Sequence, residues 1–320
     1  MPAQTMHALR VREKGGPEHL VYEVVPLPPV GIGDVRITVH AASFTHTELD
    51  WPSTWVDRAG KDRRPVIPAH EVSGVVAALG YGTTGFAVGD EVYGITDWYR
   101  DGAAAEHVAV EARDLAPKPA TLTHVEAAAA SLAGLTAWQA LHDHGGLTAH
   151  QTVLIHGAGG GVGAWAIQLA RAAGAHVWGT GRSHSRELVT ELGADRFIDI
   201  DSESVEDVGR QADLVVDLVG GDVLDRSWSV LKPGGTLVSI VNDPSIRARR
   251  GSNTRSVFFV VEPSRAQLVE LARMIDAGAL RTNVGAVFPL ARGAEAFRAK
   301  QNRGVPGKVV LEVVPPQKDL

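Results

Sequence analysis

The chain has 320 residues, which is long enough for two domains of ordinary size. Hydrophobic residues make up 44% and charged residues 21%, which excludes a disordered chain, and the net charge of -6 argues against nucleic acid or an anionic membrane as the main partner. The sequence contains no cysteine, which excludes disulfides, thiolate nucleophiles and thiolate zinc ligands.

The first part of the chain is rich in short β-type runs. Between residues 7 and 120 these runs alternate with glycine and proline turns. Residues 35–39 and 72–76 have the composition of strands, and residues 88–92 predict a turn that enters a third strand. We therefore expect a small β-barrel, followed by a helix that begins at the N-cap Thr123 with Glu126 in its first turn.

From residue 151 to about residue 276 the pattern changes to alternating strands and helices. The predicted strands are residues 152–156, 176–180, 196–200, 213–218, 236–241 and 257–261, and the predicted helices are residues 162–173, 186–192 and 264–277. This alternation predicts a doubly wound parallel sheet with helices on both faces, an α/β fold. The sequence after residue 277 has a β-type composition and ends in a predicted strand at residues 307–311. We expect this C-terminal segment to belong to the first domain. The predicted domains are residues 1–122 with 281–320, and residues 123–280.

The strongest local signal is a glycine cluster between a strand and a helix, VLIHGAGGGVG at residues 153–163. Glycine lets the backbone turn tightly and approach a pyrophosphate, and the free N–H groups at the start of the helix attract the anion. Gly159, Gly160, Gly161 and Val162 are therefore candidate cofactor-binding residues. The alternative is a glycine-rich turn that binds nothing.

The loop after the second strand of this region indicates which dinucleotide binds. An NAD site usually has an acidic residue there, which binds the ribose 2′-hydroxyl. This chain has Thr180, Gly181, Arg182 and Ser183 instead, a cation with hydroxyls that suits the 2′-phosphate of NADPH. The alternative for Arg182 is a solvated loop arginine. A second basic cluster, at residues 247–250, is more typical of a solvated loop than of an anion site.

Several segments along the chain resemble one known family. They are the N-terminal β-rich region, VGDEVYG at residues 88–94, AGLTAW at 133–138, the glycine turn, KPGG at 232–235 and GKVVL at 307–311. Together they resemble the medium-chain dehydrogenase/reductase family, and within it the zinc-free quinone oxidoreductase branch that includes zeta-crystallin. The resemblance covers nearly the whole chain. It implies a GroES-like β-barrel catalytic domain plus a Rossmann-like NADP-binding domain.

The resemblance also implies contacts to the nicotinamide from one helix and two strand ends, at residues 239–242 and 258–260. The predicted set is Thr136, Val219, Val241, Asn242, Phe258, Phe259 and Val260. Zinc alcohol dehydrogenases of this family have a catalytic histidine that corresponds to His70 and a cysteine that corresponds to Thr45. Without thiolates, His70 makes a poor zinc site, so we predict that no metal is bound and that His70 contacts the substrate.

The expected activity is hydride transfer from NADPH to a small electron-poor acceptor, a quinone or an α,β-unsaturated carbonyl, because such acceptors need less polarisation than a simple ketone. His46 and Tyr99 are the candidate proton donors. Phe44, Trp51 and Trp98 are candidate substrate-binding residues, because their flat apolar rings can pack against the acceptor. The alternative is that they pack in the hydrophobic core.

Two other functions stay open at this stage: a zinc-type alcohol dehydrogenase and a non-catalytic NADPH-binding protein. The apolar run at residues 257–261 would be prone to aggregation if it were an exposed edge strand. We therefore expect two copies of the chain to pair along this strand in a homodimer. No apolar run is long enough for a membrane span, and the N-terminal residues lack the apolar core of a secretion signal. We therefore expect a cytoplasmic protein.

Overall fold

The computed structural model describes residues 4–243, 246, 253–301, 305 and 307–314. The basic cluster at residues 247–250 lies outside these ranges. The packing of the chain divides it into two compact units, Met1–Leu132 with Pro263–Leu320, and Ala133–Glu262. The predicted domain limits, after residues 122 and 280, differ from these bounds and stay a prediction.

The described strands and helices follow in chain order. The strands are β1 (Thr5–Val11), β2 (Leu20–Pro26), β3 (Asp34–Ser43), β4 (Glu71–Leu79), β5 (Glu91–Ile95), β6 (His107–Glu111), β7 (Leu115–Pro117), β8 (Thr152–His156), β9 (His176–Gly181), β10 (Arg196–Asp199), β11 (Ala212–Asp217), β12 (Leu231–Ser239), β13 (Arg255–Phe258), β14 (Val284–Pro289) and β15 (Lys308–Glu312). The helices are α1 (Pro52–Trp55), α2 (His124–Trp138), α3 (Gly161–Ala172), α4 (Arg186–Glu191), α5 (Asp222–Val230), α6 (Arg265–Asp276) and α7 (Gly293–Gln301).

The first unit consists of an antiparallel hairpin, β1–β2, and a seven-stranded sheet. The sheet order is β14-β15-β3-β4-β5-β7, and β6 also pairs with β3. Its long central strand β3 pairs in antiparallel register with β4 and β15, so the last described strand lies in this sheet. Alternate β3 side chains such as Val35, Ile37 and Val39 are fully buried because one face of the strand packs into the core.

Helix α6 also belongs to the first unit. The Tyr93 hydroxyl donates a hydrogen bond of 2.6 Å to the carbonyl of Leu268, and Asp276 accepts one of 2.8 Å from the Thr121 hydroxyl. Helix α7 buries Ala296 and Phe297 on one face. The sequence reading of this last region as β-like was wrong for α7, because the spacing of its buried residues is helical.

The second unit is a six-stranded parallel sheet with the order β10-β9-β8-β11-β12-β13. Its core holds fully buried apolar side chains from neighbouring strands, among them Leu154, Val215 and Leu237. The strand order reverses at β8, which has β9 and β11 as neighbours. Ligands of doubly wound sheets bind at the carboxyl ends of the strands beside such a reversal. The predicted parallel α/β sheet is therefore confirmed.

The last strand of this sheet differs in its bounds from the prediction. Strand β13 covers Arg255–Phe258 rather than residues 257–261, and it lies at one edge of the described sheet. Phe259 still donates a backbone hydrogen bond of 3.3 Å to Ser239, whereas Glu262 N–H donates to the side chain of Gln139 at 3.0 Å. Beyond β13, at Glu262, the backbone N–H thus bonds to an amide side chain instead of a neighbouring strand.

No helix among the described residues is long and apolar enough to span a membrane.

Candidate functional site

The glycine turn of the second unit joins β8 to α3. Gly157, directly after β8, has a φ of +73°, which favours glycine. The Gly160 N–H donates to the Gly157 carbonyl at 2.9 Å and closes the turn, and α3 begins at the next residue. The first N–H groups of this helix have no partner within the helix and point toward the turn.

Two glycines of this turn allow close packing. A Cβ on Gly163 would lie 2.7 Å from the Cα of Ala158, and one on Gly159 would lie 2.5 Å from the Cβ of Ser185. Both approaches are shorter than real Cβ contacts, so larger residues would push the turn away from the strand. The turn therefore exposes backbone N–H groups, without side chains, at the N-terminus of α3. This arrangement fits the pyrophosphate of a dinucleotide.

The loop after β9 contains the residues predicted to bind the 2′-phosphate. Arg182 and Ser183 are exposed, and among the described residues no carboxylate pairs with Arg182. Gly181 ends β9, and a side chain there would collide with Ser185 Oγ. Ser185 is held in place because its hydroxyl donates to the Arg182 carbonyl at 2.8 Å. A side chain at Gly181 would therefore require Ser185 to move.

Two residues beside this loop were missed from the sequence. Asp199 at the end of β10 accepts a hydrogen bond of 2.6 Å from the Ser183 hydroxyl. The guanidinium of Arg186 lies 3.6 Å from the same carboxylate and stacks over the Phe197 ring at 4.6 Å. The available signal was the position of Asp199 at the carboxyl end of a predicted strand.

A buried polar row crosses the carboxyl ends of four strands, β9, β8, β11 and β12. His156 Nδ1 lies 3.0 Å from Thr180 Oγ1, and Ser239 Oγ donates to Asp217 at 2.8 Å. Burial lowers the pKa of His156 to about 4, so its ring is neutral at physiological pH, and its buried Nε2 has no hydrogen-bond partner in the described structure. The Thr180 hydroxyl, predicted to bind the phosphate, contacts this histidine instead of pointing to solvent. Its cofactor role stays a prediction.

The residues predicted to contact the nicotinamide lie in different environments. Thr136 is buried in α2, whereas Val219 and Val260 are 51% and 61% exposed, respectively. Val241 and Phe258 are half-buried and Asn242 is exposed. Phe259 is buried with its ring 4.4 Å from that of His144. The exposed positions are open to a ligand, whereas Phe259 already has a ring partner; these assignments stay predictions.

In the first unit, three predicted substrate residues lie together. The Trp51 and Trp98 rings meet edge to face at 5.4 Å, and the His70 ring lies 5.2 Å from Trp98. Phe44 lies apart from this cluster, because its buried ring stacks on Phe297 at 3.7 Å in the core. The structure therefore brings together Trp51, His70 and Trp98, and the substrate role of Phe44 stays a prediction.

The surroundings of His70 do not fit a zinc ion. Its Nδ1 lies 2.6 Å from the Thr96 hydroxyl, and burial lowers the pKa of the ring to about 4. Within the described ranges, no group of three or more His, Asp or Glu side chains is arranged to hold a metal ion. Thr45, at the position of the zinc-ligand cysteine, supplies no thiolate. The absence of metal from the working enzyme stays a prediction.

Glu48 is a buried carboxyl that the sequence did not single out. Its Oε1 accepts the N–H of Ala69 at 2.5 Å, and Ala69 has a φ of +70°, which is strained for alanine. Burial raises the pKa of Glu48 to about 8, so it is largely protonated at neutral pH. Because Ala69 directly precedes His70, this hydrogen bond holds the backbone that sets the direction of the histidine ring.

The two candidate proton donors are both near the surface. His46 is exposed in the turn between β3 and Glu48. Tyr99 is 37% exposed, and the Arg58 guanidinium lies 5.2 Å above its ring. Tyr99 N–H donates to Asp97 at 2.7 Å, which fixes the backbone of this loop. Solvent can reach both side chains, as proton exchange requires, and their catalytic roles stay predictions.

Comparison with known proteins identifies the family. Residues 31–120 match the model of the alcohol dehydrogenase GroES-like domain, and residues 192–311 match that of the zinc-binding dehydrogenases. A probable mitochondrial zinc-binding oxidoreductase of Arthroderma benhamiae is 34% identical over 306 residues, covering 90% of this chain and 91% of the relative.

Solved structures agree with these matches. The quinone oxidoreductase of Coxiella burnetii has a TM-score of 0.90 at 29% identity and covers 97% of this chain and 100% of its own. A mycobacterial protein complexed with NADPH has a TM-score of 0.82 at 28% identity and covers 96% of this chain and 100% of its own.

The chain belongs to the medium-chain dehydrogenase/reductase family, in its quinone oxidoreductase branch. The predicted GroES-like and Rossmann-like domains are confirmed. The protein is an oxidoreductase that uses a nicotinamide cofactor.

Proposed function

We propose that this protein is a zinc-independent, NADPH-dependent reductase of quinones or α,β-unsaturated carbonyls. The observation that carries the proposal is the cluster of Trp51, His70 and Trp98, which offers flat ring faces without a zinc ligand set. A quinone is flat and electron-poor, so it can stack on such rings and needs no Lewis acid to accept a hydride.

The residues that would hold the cofactor are those of the glycine turn and the loop after β9. The free N–H groups at the start of α3 bind and orient the pyrophosphate, and Arg182 pairs with the 2′-phosphate. When bound, NADPH supplies the hydride that, with one proton, reduces a quinone to the hydroquinone. Exposed His46 or Tyr99 delivers that proton and regains one from solvent.

Wild-type protein should oxidise NADPH with quinones and enones and have little activity toward simple aldehydes. Purified protein should contain no stoichiometric zinc, and activity should survive exhaustive chelation. Near one zinc per chain, with activity lost on its removal, would overturn the zinc-independent mechanism. NADPH binding without turnover of any acceptor would instead establish a non-catalytic binding protein.

The proton donor can be tested with a matched pair of variants. Tyr99→Phe should lower kcat by at least about 100-fold if the tyrosine hydroxyl is the acid, because a positioned acid contributes about 100-fold or more. Tyr81→Phe removes a hydroxyl from a side chain that is 87% exposed and should leave kcat unchanged. An unchanged kcat in Tyr99→Phe, with a loss in His46→Asn, would assign the proton to His46.

A further inference from the structure

In the loop after β9, one hydrogen bond joins a serine hydroxyl to a carboxylate, and its donor can be assigned. The Ser183 hydroxyl lies 2.6 Å from the Asp199 carboxylate. This hydrogen bond, with the Asp201 N–H and nearby Arg186, lowers the pKa of Asp199, so the carboxyl is ionised at neutral pH. An ionised carboxylate only accepts hydrogen bonds, so the shared proton is that of Ser183.

The direction of this proton decides what else Ser183 can bind. A hydroxyl has one proton and two lone pairs, so once it donates to Asp199 it can only accept further hydrogen bonds. A phosphate also only accepts, and Ser183 in this state cannot bind it. A ribose 2′-hydroxyl can donate and is therefore the better partner.

Asp199 also lies beside the end of β9, near which an NAD site usually has the acidic residue that binds the ribose 2′-hydroxyl. In the parallel register of β9 and β10, Asp199 is paired with Gly181, where a side chain would collide with Ser185 Oγ. The carboxylate thus comes from the neighbouring strand instead. Its charge opposes a phosphate at this level, and Arg186, whose side chain is 51% exposed and 3.6 Å away, neutralises it only in part.

We infer that Asp199 determines nucleotide specificity: it makes Ser183 an acceptor for a ribose hydroxyl and so opposes the NADPH preference that Arg182 provides. The inference rests on the proposed function only in that a nicotinamide dinucleotide binds at this loop. It differs from the sequence-based expectation that the Ser183 hydroxyl donates to the extra phosphate, and that expectation stays a prediction. Wild-type protein should therefore bind NADH as well as NADPH, with a modest preference.

Asp199→Asn removes the charge and gives Ser183 a partner that can donate, which frees its proton for a phosphate. The ratio of NADPH to NADH affinity should rise about 5- to 10-fold, most of the effect of one charge-assisted hydrogen bond after solvent screening. The measurement is equilibrium titration of each nucleotide by fluorescence. The matched control is Asp201→Asn, which removes the same charge from an exposed neighbour and should change the ratio less than about twofold.

Ser183→Ala gives a second test whose sign separates the two roles of the hydroxyl. If Ser183 accepts from the ribose, this variant weakens NADH binding and leaves NADPH binding nearly unchanged. If Ser183 donates to the phosphate, the variant weakens NADPH binding, which would overturn the inference. Because Ser183 is exposed, this variant should fold even where Asp199→Asn does not.

The outcome is independent of turnover. An unchanged affinity ratio in Asp199→Asn, with both nucleotides bound by wild type, overturns the inference and leaves the proposed reductase intact. A rise in the ratio of NADPH to NADH affinity in Asp199→Asn, without reduction of any acceptor by the wild type, supports the inference and refutes the proposed activity. Failure of wild type to bind either nucleotide would overturn both.

Discussion

Arg182 is the most informative single residue to change. It is exposed in the loop after β9, and among the described residues no carboxylate neutralises it. Arg186, four residues on, already lies 3.6 Å from Asp199. Arg182 is therefore the cation with its full charge available to a 2′-phosphate, and Arg182→Ala should weaken NADPH binding while leaving NADH binding nearly unchanged.

The size of the effect follows from exposure. A hydrogen bond to a charged group contributes about 1.5–3 kcal/mol, and solvent screening lowers this to about 1–2 kcal/mol at an exposed side chain. That corresponds to a roughly 5- to 30-fold weaker affinity for NADPH. The contribution should also shrink with added salt, because exposed charges are screened over about 10 Å at 0.1 M ionic strength.

The assay is titration of NADPH and NADH into wild-type and variant protein at two salt concentrations. Arg210→Ala is the matched control, since it removes the same charge from another exposed position of the second unit. Equal losses for the two nucleotides in Arg182→Ala, or an equal NADPH loss in Arg210→Ala, would show that Arg182 is not the phosphate ligand. The NADPH preference would then have no support from this loop.

Three further predictions concern stability and assembly. Because the folded pKa of Glu48 is raised to about 8 from 4.5, the folded state keeps a proton that the unfolded chain loses, and stability should fall as the pH rises through this window. Tm measured against pH should fall less in Glu48→Gln than in the wild type. The same pH dependence of Tm in both proteins would contradict this prediction. Tyr93→Phe should cost about 1 kcal/mol in denaturant unfolding, because the buried hydrogen bond from the Tyr93 hydroxyl to the Leu268 carbonyl is lost. Light scattering should show a dimer that Val257→Glu, on the edge strand β13, converts to a monomer; a wild-type monomer would refute this interface.

The parallel sheet and the glycine turn were predictable because their signals are local. Strand β8 has the predicted bounds, and Gly157 and Gly174 both have positive φ where the sequence indicated a turn or a helix end. The predicted N-cap Thr123 was equally local: Thr123 and Glu126 exchange hydrogen bonds at the start of α2. Each of these features depends on residues within a few positions of one another.

The features that the sequence did not reveal depend on distant contacts. The chain after β13 is held by Gln139, whose side chain accepts from the N–H of Glu262, 123 residues away. The backbone of Ala69 is held by Glu48, 21 residues earlier, and nothing near Glu48 indicates a buried carboxyl. Helix α5 is different, because its buried Leu224 and Trp228 are four residues apart and a helical pattern could have been recognised.

The loop after β9 shows why cofactor preference is hard to predict from one strand. The sequence contains a serine and an arginine without a nearby acid, which favours NADPH. The fold then places Asp199 from the adjacent strand level with Gly181 and turns the serine proton toward it. The serine hydroxyl therefore donates to an acid 16 residues further along the chain, because strand register, and not distance along the chain, decides which acid it meets.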